Sequence, residues 1–150
     1  MAPAPDCLNC RQNADLDALP LREHVLRTTY WRVAHAFDTA LPGWLVVVPL
    51  EHVTALDELP TEAYAELGDL LGRLSAALRT VVGCAKTYFM QFSEADGFTH
   101  LHVHVVPRMP DQPDELKGPR VFGYLGAPVG EAVTEDDRDQ LAGELRAALG

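Results

Sequence analysis

The sequence predicts one α+β domain built on an antiparallel sheet. Three observations carry that expectation. Stretches rich in Val, aromatic and β-branched residues cluster before residue 50, one long amphipathic helix pattern follows, and two more strand-like stretches precede a final helix. Strands and helices do not alternate strictly, which favours an antiparallel sheet over a doubly wound parallel one. A chain of 150 residues fits one domain and buries a core without disulfides. The expected division within it is a lead-in at 1–19, a core at 20–108, and a tail with a helix at 109–150.

In chain order, residues 1–19 read as an irregular lead-in, broken by Pro3, Pro5 and Pro20. Residues 24–28 and 31–37 read as strands, with Thr29 and Tyr30 as the hairpin connection. Leu41, Pro42 and Gly43 make a turn, and 44–48 is a buried-strand pattern that stops at Pro49. Thr61 is the expected N-cap of a helix of about 20 residues. Its apolar positions, Tyr64, Leu67, Leu70, Leu71, Leu74, Leu78, Val81 and Val82, recur at spacings of three and four, and Gly83 is its natural stop. Residues 86–92 read as a strand, 93–99 as a polar loop, 100–106 as a strand closed by Pro107, and 111–118 as a Pro-rich acidic loop. Thr134 opens a capping-box-like start to a last helix that runs to about Leu149.

Composition excludes several classes. Hydrophobic residues are 47% and charged residues 23%, so the chain is globular rather than disordered. The longest apolar run, 44–48, is five residues. A membrane helix needs about 20. Residues 1–6 show neither the basic nor the apolar region of a secretory signal, so a cytoplasmic location is expected. The net charge of −10 argues against a nucleic-acid polymer, although a few local donors suffice to hold one small phosphate group. The odd cysteine set, Cys7, Cys10 and Cys84, argues against a disulfide framework. Alone, the C-x-x-C pair of Cys7 and Cys10 reads as half a zinc site, a redox pair or chance.

The informative segment is 100–106, His-Leu-His-Val-His-Val-Val. In a strand, side chains alternate faces, so His100, His102 and His104 share one face and Leu101, Val103 and Val105 the other. The apolar face belongs on the core and the histidine face in a polar cleft. One metal held by all three is disfavoured by geometry. At ~3.3 Å per residue His100 and His104 are ~13 Å apart, whereas ligand nitrogens lie ~2 Å from a zinc ion. The three histidines therefore divide their work between nucleophile or acid–base chemistry and ligation of a separate metal.

These residues resemble the histidine triad (HIT) family of nucleotide hydrolases and transferases. The triad is followed by Pro107 and Arg108; the segment 41–53, Leu-Pro-Gly-Trp-Leu-Val-Val-Val-Pro-Leu-Glu-His-Val, looks like the family's strand ending in Ile-Pro-x-x-His. Met90-Gln91 resembles a pair found in the dinucleoside-polyphosphate hydrolase branch. The match covers about residues 20–108. It implies an antiparallel sheet of about five strands with one long central helix and a C-terminal helix. It implies that His102 attacks the α-phosphorus of a nucleotide and becomes a covalent nucleotidyl-histidine, with His104 and His100 completing the catalytic set. A neutral imidazole is a good nucleophile near pH 7, and the phosphoramidate it forms turns over. The resemblance also implies structural zinc on Cys7, Cys10, His52 and His100, and a homodimer joined through the long helix and the strand after it. That strand, with Tyr88, Phe89, Met90 and Phe92, is apolar on both faces, as an interface strand should be.

The chain departs from the family's pattern in three places. The loop 93–99, Ser-Glu-Ala-Asp-Gly-Phe-Thr, lacks the usual Gln and Ser or Thr donors and carries Glu94 and Asp96, which repel a polyphosphate. Gln91, Ser93 and Thr99 are the candidate replacement donors. The position of the ribose-gripping acid falls near Ala36, with His35 and Asp38 as substitutes. Trp44 stands where a histidine is common. The lost donors keep one alternative open: a zinc-stabilised nucleotide-binding or protein-interaction module with little turnover. A metalloenzyme using two triad histidines and a carboxylate such as Asp96 is the third reading.

Overall fold

The computed structural model describes residues 3–150. Met1 and Ala2, the start of the expected lead-in, lie outside the described residues. Helix α1 (Leu8–Ala14) leads into strands β1 (Leu26–Arg27), β2 (Trp31–His35) and β3 (Leu45–Pro49). Helix α2 (Thr61–Val82), strands β4 (Lys86–Met90) and β5 (Val103–Arg108), and helix α3 (Glu135–Leu149) follow. The five strands form one sheet in the order β1-β2-β3-β5-β4, and every neighbouring pair is antiparallel. The α+β expectation holds.

Alternation explains what each face of the sheet carries. Trp31, Val33, Leu45, Val47, Val103 and Val105 point to the face that α2 covers, where they meet Ala63, Leu67, Leu70, Leu74 and Leu78 in one buried cluster with Ala142 and Leu145 of α3. Each such leucine contributes roughly 2 kcal/mol by leaving water. The opposite face carries Arg32, Ala34, Val46, Val48 and His104, and these border the cleft.

Several boundaries differ from expectation. The lead-in is not irregular: 8–14 is helical, with Cys7 as N-cap and Cys10 buried. Thr61 is the first residue of α2 rather than its cap; Pro60 takes that position, its fixed φ suiting a helix entry. Gly83 ends α2 in the left-handed region at φ 71, its N–H donating to the Arg79 carbonyl at 3.1 Å. The final helix has the expected cap, with Thr134 Oγ accepting from the Asp137 N–H. Strand β5 begins at Val103, so His100 and His102 precede it, and it runs through Pro107 instead of stopping there. Its ladder with β3 ends at Val105, so the missing N–H of Pro107 interrupts no pairing on that side.

The long helix also differs in what it exposes. Leu67, Leu70, Leu74 and Leu78 lie inside this chain's own core, leaving Leu71, Val81 and Val82 only partly buried. The apolar stripe read as a partner surface is therefore mostly internal.

Candidate functional site

Ala34 of β2, Val46 of β3 and His104 of β5 are direct neighbours across the sheet. They floor a cleft of about 410 Å³. α1 and the turn Leu21–Glu23 bound it at one end, and the loop after β4 with the 3-10 segment Gly118–Tyr124 bounds it at the other.

Two of the three triad histidines meet in this cleft. The rings of His102 and His104 stand edge to face with centroids 5.0 Å apart. His102 is half-exposed, and its Nδ1–H donates to the His100 carbonyl at 2.8 Å. That bond leaves the Nε2 lone pair for chemistry. The backbone N–H of His102 donates to Ser93 Oγ at 3.1 Å. Ser93 holds a left-handed φ of 56, an uncommon conformation for a residue with a Cβ, at the point where its hydroxyl holds the backbone of His102.

His104 is buried. The Trp44 indole N–H donates to its Nδ1 at 3.1 Å, and Phe122 packs edge-on with centroids 5.2 Å apart. Burial first, and the nearby His102 second, push His104 down to about 4. The ring is thus neutral at physiological pH, with its hydrogen on Nε2 and available as a donor.

His100 leaves the cleft for a second centre. Its Nε2–H donates to the Pro49 carbonyl at 3.0 Å, which turns Nδ1 toward Cys7, Cys10 and His52. One ligand atom from each of these four residues lies within 4.8 Å of all the others. His100 Nδ1 is 3.4 Å from Cys7 Sγ, 3.6 Å from Cys10 Sγ and 3.2 Å from His52 Nδ1, and Cys10 Sγ is 3.2 Å from His52 Nδ1. Around one tetrahedral ion with metal–sulfur bonds of ~2.3 Å and metal–nitrogen bonds of ~2.05 Å, such pairs fall about 3.3–3.6 Å apart. The donor set therefore fits a metal. Cys84 is buried apart from this cluster, in the main core.

The other candidate residues fall into two groups. Ser93 and Asp38 line the cleft; Asp38 Oδ2 also accepts from the Gly126 N–H at 3.2 Å. Gln91 is exposed and acts through Ser93, donating from Nε2 to its Oγ at 3.0 Å. Thr99 is exposed and outside the cleft lining. His35 borders the cleft but is 2% exposed, with Nδ1–H on the Ala36 carbonyl and Nε2 accepting the Gly43 N–H. It has no polar atom left for a substrate; its partners are backbone because β2 turns there.

The polar end of the cleft has little local signature in the sequence. Arg32, 1% exposed, is held by Asn9, Gln12, Asn13 and Glu23. The one signal was an Arg set between the apolar Trp31 and Val33 in a strand.

A family model of the HIT domain matches residues 22–111. Similar solved structures include a zinc-bound histidine triad family protein from Mycobacterium smegmatis, at 22% identity over 95% of this chain and 92% of that one, with a TM-score of 0.68. A histidine triad protein from Marinobacter aquaeolei aligns at 23% identity over 93% and 92%, with a TM-score of 0.69. A hypothetical histidine triad nucleotide-binding protein from Sulfolobus tokodaii aligns at 17% identity over 95% and 91%, with a TM-score of 0.68. At these identities the likeness is one of fold. Among curated proteins, none matches the chain.

Proposed function

The chain belongs to the histidine triad (HIT) family, and on that premise we propose that it is a nucleotide hydrolase or transferase acting at an α-phosphate through a covalent nucleotidyl-histidine on His102. The carrying observation is the bond from His102 Nδ1–H to the His100 carbonyl, which leaves Nε2 as the nucleophilic nitrogen beside the cleft.

In the first step the Nε2–P bond forms and the bond from phosphorus to the leaving group breaks. The leaving group keeps the electron pair and takes a proton from water. His102 then carries positive charge, which its Nδ1–H shares with the His100 carbonyl. His104, neutral and bearing its hydrogen on Nε2, donates to a phosphoryl oxygen as charge builds there. In the second step water attacks phosphorus, the P–N bond breaks, the electron pair returns to Nε2, and the proton released by the attacking water returns to solvent in place of the one taken in the first step. An acceptor hydroxyl in place of water gives transfer. Glu94 lines the cleft, so a cationic amine suits the leaving-group side better than a polyphosphate. A nucleoside phosphoramidate is the favoured substrate class.

Cys7, Cys10, His52 and His100 would hold one structural zinc ion, the usual metal of a Cys₂His₂ set. A homodimer in the cytoplasm completes the reading. Three cysteines outside any disulfide, two of them as proposed zinc ligands, suit a reducing compartment. No helix among the described residues is long and apolar enough to cross a membrane.

The test is a single turnover with a nucleoside phosphoramidate followed by intact-mass analysis. An adduct of one nucleotidyl group is expected, together with its disappearance and a loss of ~10³-fold or more in kcat for His102→Ala. A variant that turns over at the parent rate would sink the covalent mechanism.

A further inference from the structure

We infer that the polar end of the cleft reads the nucleobase and selects guanine, through the Glu23 carboxylate and the Asn9 side-chain amide. This inference rests on the nucleotide reading above and names its base.

The sheet sets the distance. Val46 lies between Ala34 and His104 in one row across β2, β3 and β5, and Arg32 pairs with Val48 in the next row of β2 and β3. With strands ~4.8 Å apart, the β2 column lies ~10 Å from the histidine column on the same face. A nucleotide whose phosphorus meets His102 Nε2 lays its ribose over Val46 and Val48 and its base over Ala34 and Arg32. Ala34 is small and leaves room for the ring. Beyond it the wall is polar, made by Asn9 and Gln12 of α1 and by Glu23.

Hydrogen-bond bookkeeping at that wall identifies the reader. Arg32 donates to Asn13 Oδ1 at 2.8 Å, the Glu23 carbonyl at 2.9 Å, Asn9 Oδ1 at 3.0 Å and Gln12 Oε1 at 3.3 Å. A guanidinium has only donors, so all three amides must turn their oxygens to it, and Asn13 Nδ2 donates to the Pro49 and Leu50 carbonyls. Gln12 then spends its Nε2 on Glu23 Oε2, at 3.3 Å. Among the described residues, Glu23 Oε1 and Asn9 Nδ2 remain without partners. The unspent groups are a carboxylate oxygen and an amide donor, with the Glu23 side chain 17% exposed.

Guanine complements that pair. Its N1–H and N2–H₂ lie side by side and suit a carboxylate, and its O6 accepts from an amide N–H. Adenine would aim the N1 lone pair at the carboxylate. Uracil offers one N–H between two carbonyls, and cytosine an amino group beside a lone pair. Each leaves the enclosed carboxylate unpaired or repelled, which is how a polar site rejects the wrong ligand. Glu23 also serves as counter-ion to Arg32, at 3.8 Å, but that contact uses only Oε2.

Calorimetric titration of the intact protein with GMP and with AMP tests the assignment. GMP is expected to bind at least about tenfold more tightly, the discrimination of one bidentate contact. Glu23→Gln should bring the two affinities to within about threefold of each other. Both ligands meet the same sample, so partial unfolding of a variant leaves the ratio intact. If Glu23→Gln does not fold, Glu23→Asp keeps the charge for Arg32, withdraws the carboxylate by one methylene, and should narrow the ratio. Equal affinities, or a preference for AMP, in the parent protein overturn the inference. A guanine preference that survives the Glu23 variants overturns the role of Glu23. Turnover of guanosine and adenosine phosphoramidates at equal rates would sink the base assignment and leave the parent reading standing; binding of neither nucleotide sinks both.

Discussion

The indole N–H of Trp44 donates to Nδ1 of His104 across 3.1 Å, and that bond decides what His104 can do. An accepting Nδ1 puts the hydrogen of the neutral ring on Nε2. Burial holds the ring near a pKa of about 4, so it is uncharged at physiological pH. In the proposed reaction His104 therefore acts as a neutral hydrogen-bond donor to developing charge and not as a source of a proton. Trp44 is a positioning residue: fully buried, it fixes a tautomer from behind the ring that faces the cleft.

Trp44→Phe keeps the aromatic packing and removes the donor. With the tautomer unfixed, kcat on a nucleoside phosphoramidate should fall roughly tenfold, as for other partners that orient an active-site group from behind. KM should move little, because no substrate contact is lost. A steady-state comparison separates the two; a variant whose KM rises at constant kcat would count against the tautomer role.

The cluster of Cys7, Cys10, His52 and His100 should hold about one zinc ion per purified chain, measured by metal analysis with thiols kept reduced. Cys10 is the ligand to remove, because it is buried and anchors α1 between the cluster and the cleft. Cys10→Ser should release the metal and lower the melting temperature, since ligation and folding are coupled. An unaltered melting curve, or a parent chain without zinc, would refute the site.

How much of this was legible in the sequence follows from which forces are local. The α2 pattern, Gly83 and the Thr134 cap depend on neighbours three or four residues away, and they read well; Thr61 missed by one position because Pro60 claims the entry. The histidine segment gave its apolar face correctly, with Leu101, Val103 and Val105 buried, whereas of its polar face only His102 and His104 reach the cleft and His100 turns to Cys7, Cys10 and His52. The place where it becomes a strand depends on Leu101 donating its N–H to the Val53 carbonyl, a contact no local pattern records. The helix at 8–14 escaped notice because it is short and takes its order from His52 and His100, 42 to 93 residues away. The Arg32 network was equally hidden, since its partners come from α1 and the turn before β1.

Acid should weaken the fold through His35. Its neutral ring is locked between the Ala36 carbonyl and the Gly43 N–H, and burial lowers its pKa to about 4, with the positive charge of Arg138 adding to the effect. Between about 4 and the ordinary 6.5 the unfolded chain binds a proton that the folded chain refuses. Stability therefore rises with pH across that window, is complete above it, and is lost as pH falls toward 4. At pH 5 this amounts to about 2 kcal/mol. Urea unfolding at pH 7.5 and pH 5 should show a smaller loss in His35→Gln than in the parent by about that amount. Equal losses would remove His35 from the account.

The oligomeric state is the last expectation. Strand β4 lies at the end of the sheet, paired on one side with β5. Its register places Phe89 opposite Val105, on the helix-covered face, yet Phe89 remains 45% exposed. An open edge strand carrying an exposed aromatic residue is an aggregation hazard that a folded protein covers. A second copy related by a twofold axis can pair the two β4 edges and continue one sheet through both chains, and twofold contacts are the commonest oligomers. The leucines of α2 that point inward do not contribute, so the contact rests on β4 and the outer side of α2, where Gly68 and Gly72 have no heavy atom within 4 Å of an added Cβ and leave space for close approach. Light scattering at micromolar concentration should give twice the 16.4 kDa of one chain. Phe89→Lys, which places a charge on that edge, should halve the mass while leaving the monomer folded by circular dichroism. A parent chain that scatters as a monomer would refute the dimer, and a Phe89→Lys chain that stays dimeric would move the interface away from β4.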